Sequence, residues 1–167
     1  LNATTAVTCY SENGLYYSTK CHVLLVDVTM GTLSAGAELE VQRGTNPLNQ
    51  ATWLVGLGST KALMCADASG TCYVLTADVG ALTLRAGPES NVFAPSSRYL
   101  SMSMFDDERG VACVAPNNAN AYCTPLRVGH STNTVAFGSS VDLDYDAEYT
   151  TVTALSSTWA LVCYKST

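Results

Sequence analysis

Seven cysteines and two histidines are the residues of this chain best equipped for chemistry, and their spacing selects among metal binding, catalysis and thiol crosslinking. No Cys-x-x-Cys occurs, and His22 and His130 stand far apart, so the pattern writes no local tetrahedral metal set. The cysteines fall instead as Cys9 and Cys21, Cys65 and Cys72, Cys113 and Cys123, with Cys163 alone. That spacing predicts three local disulfides and one thiol left unpaired or intermolecular, and hence an oxidising compartment. The competing reading is seven buried free thiols packing as small hydrophobes.

Other constellations are weaker. There is no Gly-x-Ser-x-Gly, no His-Glu-x-x-His and no Gly-rich phosphate cradle, so the sequence predicts neither catalysis nor a cofactor. His22 follows Cys21 on an expected strand and should face solvent, while His130 sits in the turn Gly129-His130-Ser131-Thr132-Asn133. The acidic run Asp142-Leu143-Asp144-Tyr145-Asp146-Ala147-Glu148 imitates a calcium loop, but Ala147 stands where the loop needs glycine and no glutamate occupies the twelfth position. It reads better as a solvated strand like Leu39-Glu40-Val41-Gln42. Asn2-Ala3-Thr4 is the one Asn-x-Ser/Thr sequon, which makes Asn2 a candidate glycosylation site. Trp53 and Trp159 fall on expected strands, where packing is the simpler role.

These residues are positioned by a repeat. Leu57-Gly58-Ser59-Thr60-Lys61-Ala62-Leu63-Met64-Cys65 aligns without a gap on Leu155-Ser156-Ser157-Thr158-Trp159-Ala160-Leu161-Val162-Cys163. A degenerate copy runs from Phe105 to Cys113, and another ends at Cys9-Tyr10. A second landmark keeps the same phase: Gly36, Gly87 and Gly138 are spaced by 51 residues, and Ala-Gly-Ala-Glu at Glu38 matches Ala-Gly-Pro-Glu at Glu89. Alternation of apolar and polar residues divides the first unit into four strands, Ala6–Tyr10, Cys21–Val26, Ala37–Val41 and Thr52–Leu57. No stretch shows helical periodicity. Loops of variable length, such as Ser11-Glu12-Asn13-Gly14, lie between the first two strands, and the cysteines bracket them. Facing Cα atoms of antiparallel strands approach to ~4.5–5.5 Å, within reach of a disulfide, so each pair should staple the first hairpin of its unit.

The expected fold is therefore all-β, a single array over residues 1–167 of tandem four-stranded antiparallel units of about 50 residues, arranged like β-propeller blades. The units run over about 3–58, 59–106 and 107–156, with a partial unit at 157–167. The alternative is a β-trefoil, although a fourth first strand ending in Cys163 has no place in a closed threefold fold. Three units and a fraction do not close a propeller of 4–8 blades either. The expectation is a segment of a longer array, or closure with partner chains. Thr153-Ala154-Leu155-Ser156-Ser157-Thr158-Trp159-Ala160-Leu161-Val162-Cys163-Tyr164 and Gly58-Ser59-Thr60-Lys61-Ala62-Leu63-Met64-Cys65 also resemble the "LSSTKALVCY" repeats of large extracellular propeller-like proteins of algae and other protists. The likeness extends over nearly the whole chain, and it implies a repeat class rather than an activity. Asp106-Asp107-Glu108-Arg109 departs from the pattern, so that corner should differ locally.

Composition bounds the partners. A formal net charge of -6 and a pI near 4.6 supply no basic surface for nucleic acid. Hydrophobic residues at 47% against 13% charged place the chain among folded proteins. No apolar run approaches the ~18 residues of a membrane span, and Leu1-Asn2-Ala3-Thr4 is no signal peptide, so a secreted form would already have lost its leader. The functional expectation is a non-enzymatic, extracellular or cell-surface structural or adhesive protein, a subunit or segment of a fibre or filament. It would self-associate, or join neighbouring repeats, through terminal strands such as the one ending in Cys163. The alternative is a carbohydrate-binding lectin. Against that, the residue after the repeat cysteine is Tyr10, Ala66, Val114 and Tyr164, so no sugar site recurs in every unit.

Overall fold

Sixteen short antiparallel strands form four open sheets in the computed structural model, which describes residues 4–12, 17–44, 52–66, 69–91, 97–116, 120–144 and 148–165. The first sheet contains β1 (Thr5–Glu12), β2 (Tyr17–Asp27), β3 (Thr32–Ala35) and β4 (Leu39–Gly44). In the second are β5 (Thr52–Leu57), β6 (Lys61–Ala66), β7 (Thr71–Asp78), β8 (Thr83–Ala86) and β9 (Ser90–Asn91). The third holds β10 (Ser97–Met104), β11 (Arg109–Pro116), β12 (Ala121–Gly129), β13 (Thr134–Phe137) and β14 (Val141–Asp144), and the fourth β15 (Glu148–Ala154) and β16 (Ala160–Lys165). The protein is all-β, and among the described residues no sheet closes into a barrel or a propeller ring. No described helix is long and apolar enough to cross a membrane.

Hydrogen bonding assigns one strand differently from the sequence pattern. Thr52–Leu57 pairs with β6 across a tight turn, Leu57 facing Lys61, and so opens the second sheet rather than closing the first. The boundaries between sheets thus fall one strand earlier than the unit boundaries near 58, 106 and 156. The reason is local: β5 and β6 are a hairpin with a three-residue connection, whereas the longer segment 45–51 separates β4 from β5, which belong to different sheets. The third strand of each unit is also two pieces, with β3 and β4 both paired to β2 and interrupted at Gly36–Glu38. β8 with β9 and β13 with β14 repeat that break at Gly87 and Gly138.

Each sheet buries one face against the next. Cys21 and Val23 of the first sheet meet Met64, Leu75, Ala77 and Leu84 of the second. Leu57, Leu63, Cys65, Cys72 and Val74 of the second meet Leu100, Ala112, Val114, Leu126, Val128 and Val135 of the third. At the next junction side chains bond backbone directly: Ser101 Oγ accepts from Val152 N at 3.0 Å, Ser103 Oγ from Ala154 N at 2.8 Å, and Thr150 Oγ1 donates to Tyr99 O at 2.6 Å.

Glycine makes the junctions possible. The backbone at Gly36 lies against the Leu82 carbonyl of the next sheet, and Ala37 N donates to that carbonyl at 3.2 Å. Gly87 lies in the same way against Asn133, whose Cβ would be 2.7 Å from any Cβ added there. Gly31, Leu82 and Asn133 recur at one turn position with φ of 65°, 51° and 53°, a left-handed conformation that turns the chain tightly enough to present that carbonyl.

The disulfides are Cys9–Cys21, Cys65–Cys72 and Cys113–Cys123, the pairs that the spacing predicts, with Cα–Cα distances of 4.1, 4.1 and 4.0 Å. In each case the two cysteines face one another in the ladder. The corner at Asp106, expected to differ, does not. Asp106 Oδ1 accepts from the N–H groups of Glu108 and Arg109 at 2.9 and 2.7 Å, just as Ser156 Oγ accepts from Thr158 and Trp159 at 3.2 and 3.1 Å. A short side-chain acceptor is what the turn needs, and aspartate supplies it as well as serine.

Two stability measurements follow. Gly36→Ala should lower the unfolding free energy by about 2–3 kcal/mol, because the Leu82 carbonyl cannot move without opening the junction, whereas Gly31→Ala, with open space around it, should cost only the left-handed strain of about 1 kcal/mol. Replacing both Cys65 and Cys72 with alanine should cost about 3 kcal/mol in a urea titration, from a lost short crosslink and a cavity in the central core.

Candidate functional site

The densest group of interacting polar side chains lies on the first sheet. The Cys9–Cys21 register places Tyr10 opposite Lys20 and Thr8 opposite His22, so Tyr10, Lys20 and His22 share the face opposite the disulfide. Glu38, at the break between β3 and β4, completes the group. Tyr10 Oη donates to Glu38 Oε2 at 2.6 Å, and Lys20 Nζ bridges Glu38 at 2.9 Å and Glu12 at 2.7 Å. His22 stacks on Tyr10 with ring centroids 5.8 Å apart and planes 9° from parallel. Its Nδ1 lies 3.0 Å from the Gly36 carbonyl oxygen, an acceptor only, so that nitrogen carries a proton and donates. The Nε2 atom then lies 3.5 Å from the Tyr10 hydroxyl and 3.7 Å from Glu38. His22 is thus tied into a network rather than simply facing solvent.

Electrostatics agree with the geometry. The Tyr10 phenol is held above its ordinary value, first by its hydrogen bond to the Glu38 carboxylate. Glu38 is held below the ordinary carboxylate range, first by the Tyr10 hydroxyl and then by Lys20, and the Lys20 ammonium is held up by Glu12 and Glu38. The landmark glutamate repeats this role in the second sheet, where Tyr73 Oη donates to Glu89 at 2.9 Å and burial pushes the phenol up to about 12. There the phenol arrives from the position of His22 rather than that of Tyr10. In the third sheet Thr124 takes that position, and its hydroxyl donates to the Gly138 carbonyl at 2.9 Å, as His22 does to Gly36.

Such a network orders strands and offers hydrogen bonds to a polar ligand. It has no nucleophile poised beside a base, and among the described residues no three His, Cys, Asp or Glu side chains are grouped to hold a metal ion. His130 sits in its turn with Nε2 3.8 Å from Asp107, and its carbonyl accepts from Lys61 Nζ at 2.6 Å. Asp142 lies on β14, a strand as expected, with its carboxylate 3.4 Å from the Asn120 amide, while residues 145–147 of the acidic run lie outside the described residues. Asn2 lies outside them too. Cys163 is exposed on β16 and carries no disulfide.

The tryptophans depart from expectation. Trp53 is on β5 but 38% exposed, and Trp159 precedes β16 rather than lying on it and is 73% exposed. Trp53 stands opposite Cys65 within the β5–β6 hairpin, and Trp159 stands in the turn that leads into β16. Sequence reasoning noticed Tyr10 and His22 separately and missed their network. The disulfide register alone would have placed Tyr10 beside Lys20, whereas Glu38 reaches them only through the break at Gly36.

No protein-family model matches the chain, and no curated protein matches it in sequence. Solved structures do match in three dimensions. A protein from Lactobacillus plantarum superimposes with a TM-score of 0.55 over 86% of this chain, at 12% identity. The likeness is one of fold. This chain spans 45% of that protein's length.

The Tyr10–Glu38 bond predicts a titration. Glu38, with its folded pKa depressed, stabilises the fold above the ordinary carboxylate range, and that contribution disappears as pH falls through its folded value; Tyr10, with its pKa raised, contributes below the ordinary phenol value and loses its contribution as pH rises. Tyrosine-resolved NMR should show Tyr10 titrating above 10.0 in the parent and close to it in Glu38→Gln.

Proposed function

We propose that this chain is a non-enzymatic extracellular repeat module, a structural or adhesive segment of a cell-surface fibre or filament, built from propeller-like blades of the kind that its "LSSTKALVCY"-type segments resemble. The observation that carries the reading is the repeated junction, in which a glycine of one sheet receives the left-handed turn of the next, at Gly36 with Leu82 and at Gly87 with Asn133. A junction used repeatedly in one sense makes a stack that can be lengthened by adding units, which is the physical requirement of a fibre. Three disulfides in a chain of this size are compatible with a secreted or extracellular protein.

Carbohydrate binding is the second reading, favoured by one observation: Tyr10 is 42% exposed and surrounded by Lys20, His22 and Glu38, polar groups that suit sugar hydroxyls. The corresponding positions after the repeat cysteine are Ala66 and Val114, which are buried and apolar, and Tyr164, which is 41% exposed, so such a site would not recur in the second and third sheets. A glycan array decides between them. The structural reading expects no reproducible binding; binding of one sugar class, lost in Tyr10→Ala, would replace it with the lectin reading.

A further inference from the structure

Cys65 and Cys72 are enclosed from every direction by other parts of the chain. Both are 0% exposed. The strands that carry them, β6 and β7, are flanked in their own sheet by β5 on one edge and by β8 and β9 on the other, and the first sheet packs on the face behind them. In front, the pair belongs to the apolar cluster that contains Leu100, Ala112 and Val114 of the third sheet. A disulfide is reduced by a thiolate that approaches one sulfur from the side opposite the other, so the rate depends on open space along that line as well as on the reductant. While the second and third sheets are stacked, Cys65–Cys72 has no such space.

Directional contacts that hold the third sheet over the pair gather at one turn. Gly87 receives Asn133, Lys61 Nζ donates to His130 O at 2.6 Å and Asn133 Oδ1 at 2.7 Å, and Val135 N donates to Ser90 Oγ at 3.2 Å. Lys61 opens β6 four residues before Cys65, so one short strand carries both the grip on the turn and half of the disulfide. Elsewhere the junction is apolar, with Leu57, Leu63 and Val74 against Leu126, Val128 and Val135. Apolar contact is not directional, whereas the ladders within each sheet are hydrogen-bonded throughout. The plane between the sheets is therefore where the molecule opens without either sheet coming apart.

We infer that Cys65–Cys72 is a gated redox site: a dithiol reductant reaches it only when the second and third sheets part, and the Asn133 turn, held by Gly87 and Lys61, is the gate. The reaction is thiol–disulfide exchange. A thiolate of the reductant attacks one Sγ and forms a mixed disulfide while the other cysteine leaves as a thiolate, and the reductant's second thiol then displaces the first cysteine. Two electrons and two protons pass to the protein, which ends with two thiols, and the dithiol ends as a disulfide. Reduction removes the staple of the β6–β7 hairpin and so weakens the sheet whose cover has already lifted. The bond thereby records that its junction has opened. The gate uses neither the Tyr10 cluster nor the lengthening of the stack, and it stands apart from both readings of the function.

Reduction kinetics on the full 167-residue chain test the gate, with Cys163→Ser removing the free thiol. Dithiothreitol is the probe, and acid quenching, alkylation and peptide mapping follow each disulfide separately. Cys65–Cys72 should be reduced about a hundredfold more slowly in the folded chain than in the same chain unfolded in urea. Gly87→Ala sets a Cβ against the Asn133 backbone and should speed that reduction about tenfold, while Cys9–Cys21, which packs at the other junction, keeps its rate. Lys61→Met removes both bonds to the turn without adding bulk and should act in the same sense. Circular dichroism verifies that each variant is folded; should Gly87→Ala not fold, Lys61→Met decides. Reduction of Cys65–Cys72 as fast in the folded chain as in the unfolded one, a rate indifferent to the folded variants, or equal acceleration of both disulfides, the mark of global unfolding, overturns the gate.

Discussion

The contact on which the rest of the structure depends is the approach of one sheet's backbone, at Gly36 and Gly87, to a carbonyl in the left-handed turn of the next. A single antiparallel sheet with two apolar faces cannot stay in water by itself. Stacking solves that, but only if the edge strand breaks where the neighbouring turn projects. With a side chain at Gly36 the sheets would be held apart, and Leu75, Ala77 and Leu84 would lose their cover. The glycine, the strand break and the buried rows behind them are consequences of one steric constraint.

Disulfides reinforce the same design from inside. Each closes a hairpin whose loop varies in length, and each faces the following sheet, so Cys65 and Cys72 belong both to a covalent staple and to the core between the second and third sheets. Small sheets of this kind have too little interior to be stable singly, and crosslinking the hairpin reduces the entropy that stacking must overcome. Polar groups occupy the opposite face where the stack leaves it open. The Tyr10, Lys20, His22 and Glu38 network satisfies part of the exposed face of the first sheet, while Leu24, Val26 and Leu33 leave another part of it apolar.

Much of this was legible in the amino-acid order because it is local. Cysteine spacing determined the pairings, since a disulfide across an antiparallel hairpin needs only two facing residues and a turn. Alternation and turn residues determined that the chain is all-β, and the 51-residue spacing of Gly36, Gly87 and Gly138 marked the period of the repeat. Even the function of Asp106 was present in its chemistry, although its disagreement with serine concealed it: both side chains cap the same two amides.

Tertiary structure decided what depends on partners distant in sequence. Periodicity could not say that Thr52–Leu57 pairs forward with β6, because an alternating strand reads the same whichever neighbour it takes. The burial of Leu84 and the exposure of Leu33, the same residue type at the same repeat position, depend on which sheet lies in front of each. Glu38 joins Tyr10 only because the chain breaks at Gly36, and Trp159 stands exposed because no described sheet covers it. Sequence by itself determined the all-β class, the 51-residue period and the crosslinks, all set by patterns within a few tens of residues. Which face is covered, and by what, was left to the packing of whole sheets, because burial is a property of the surface opposite and not of the residue that carries it.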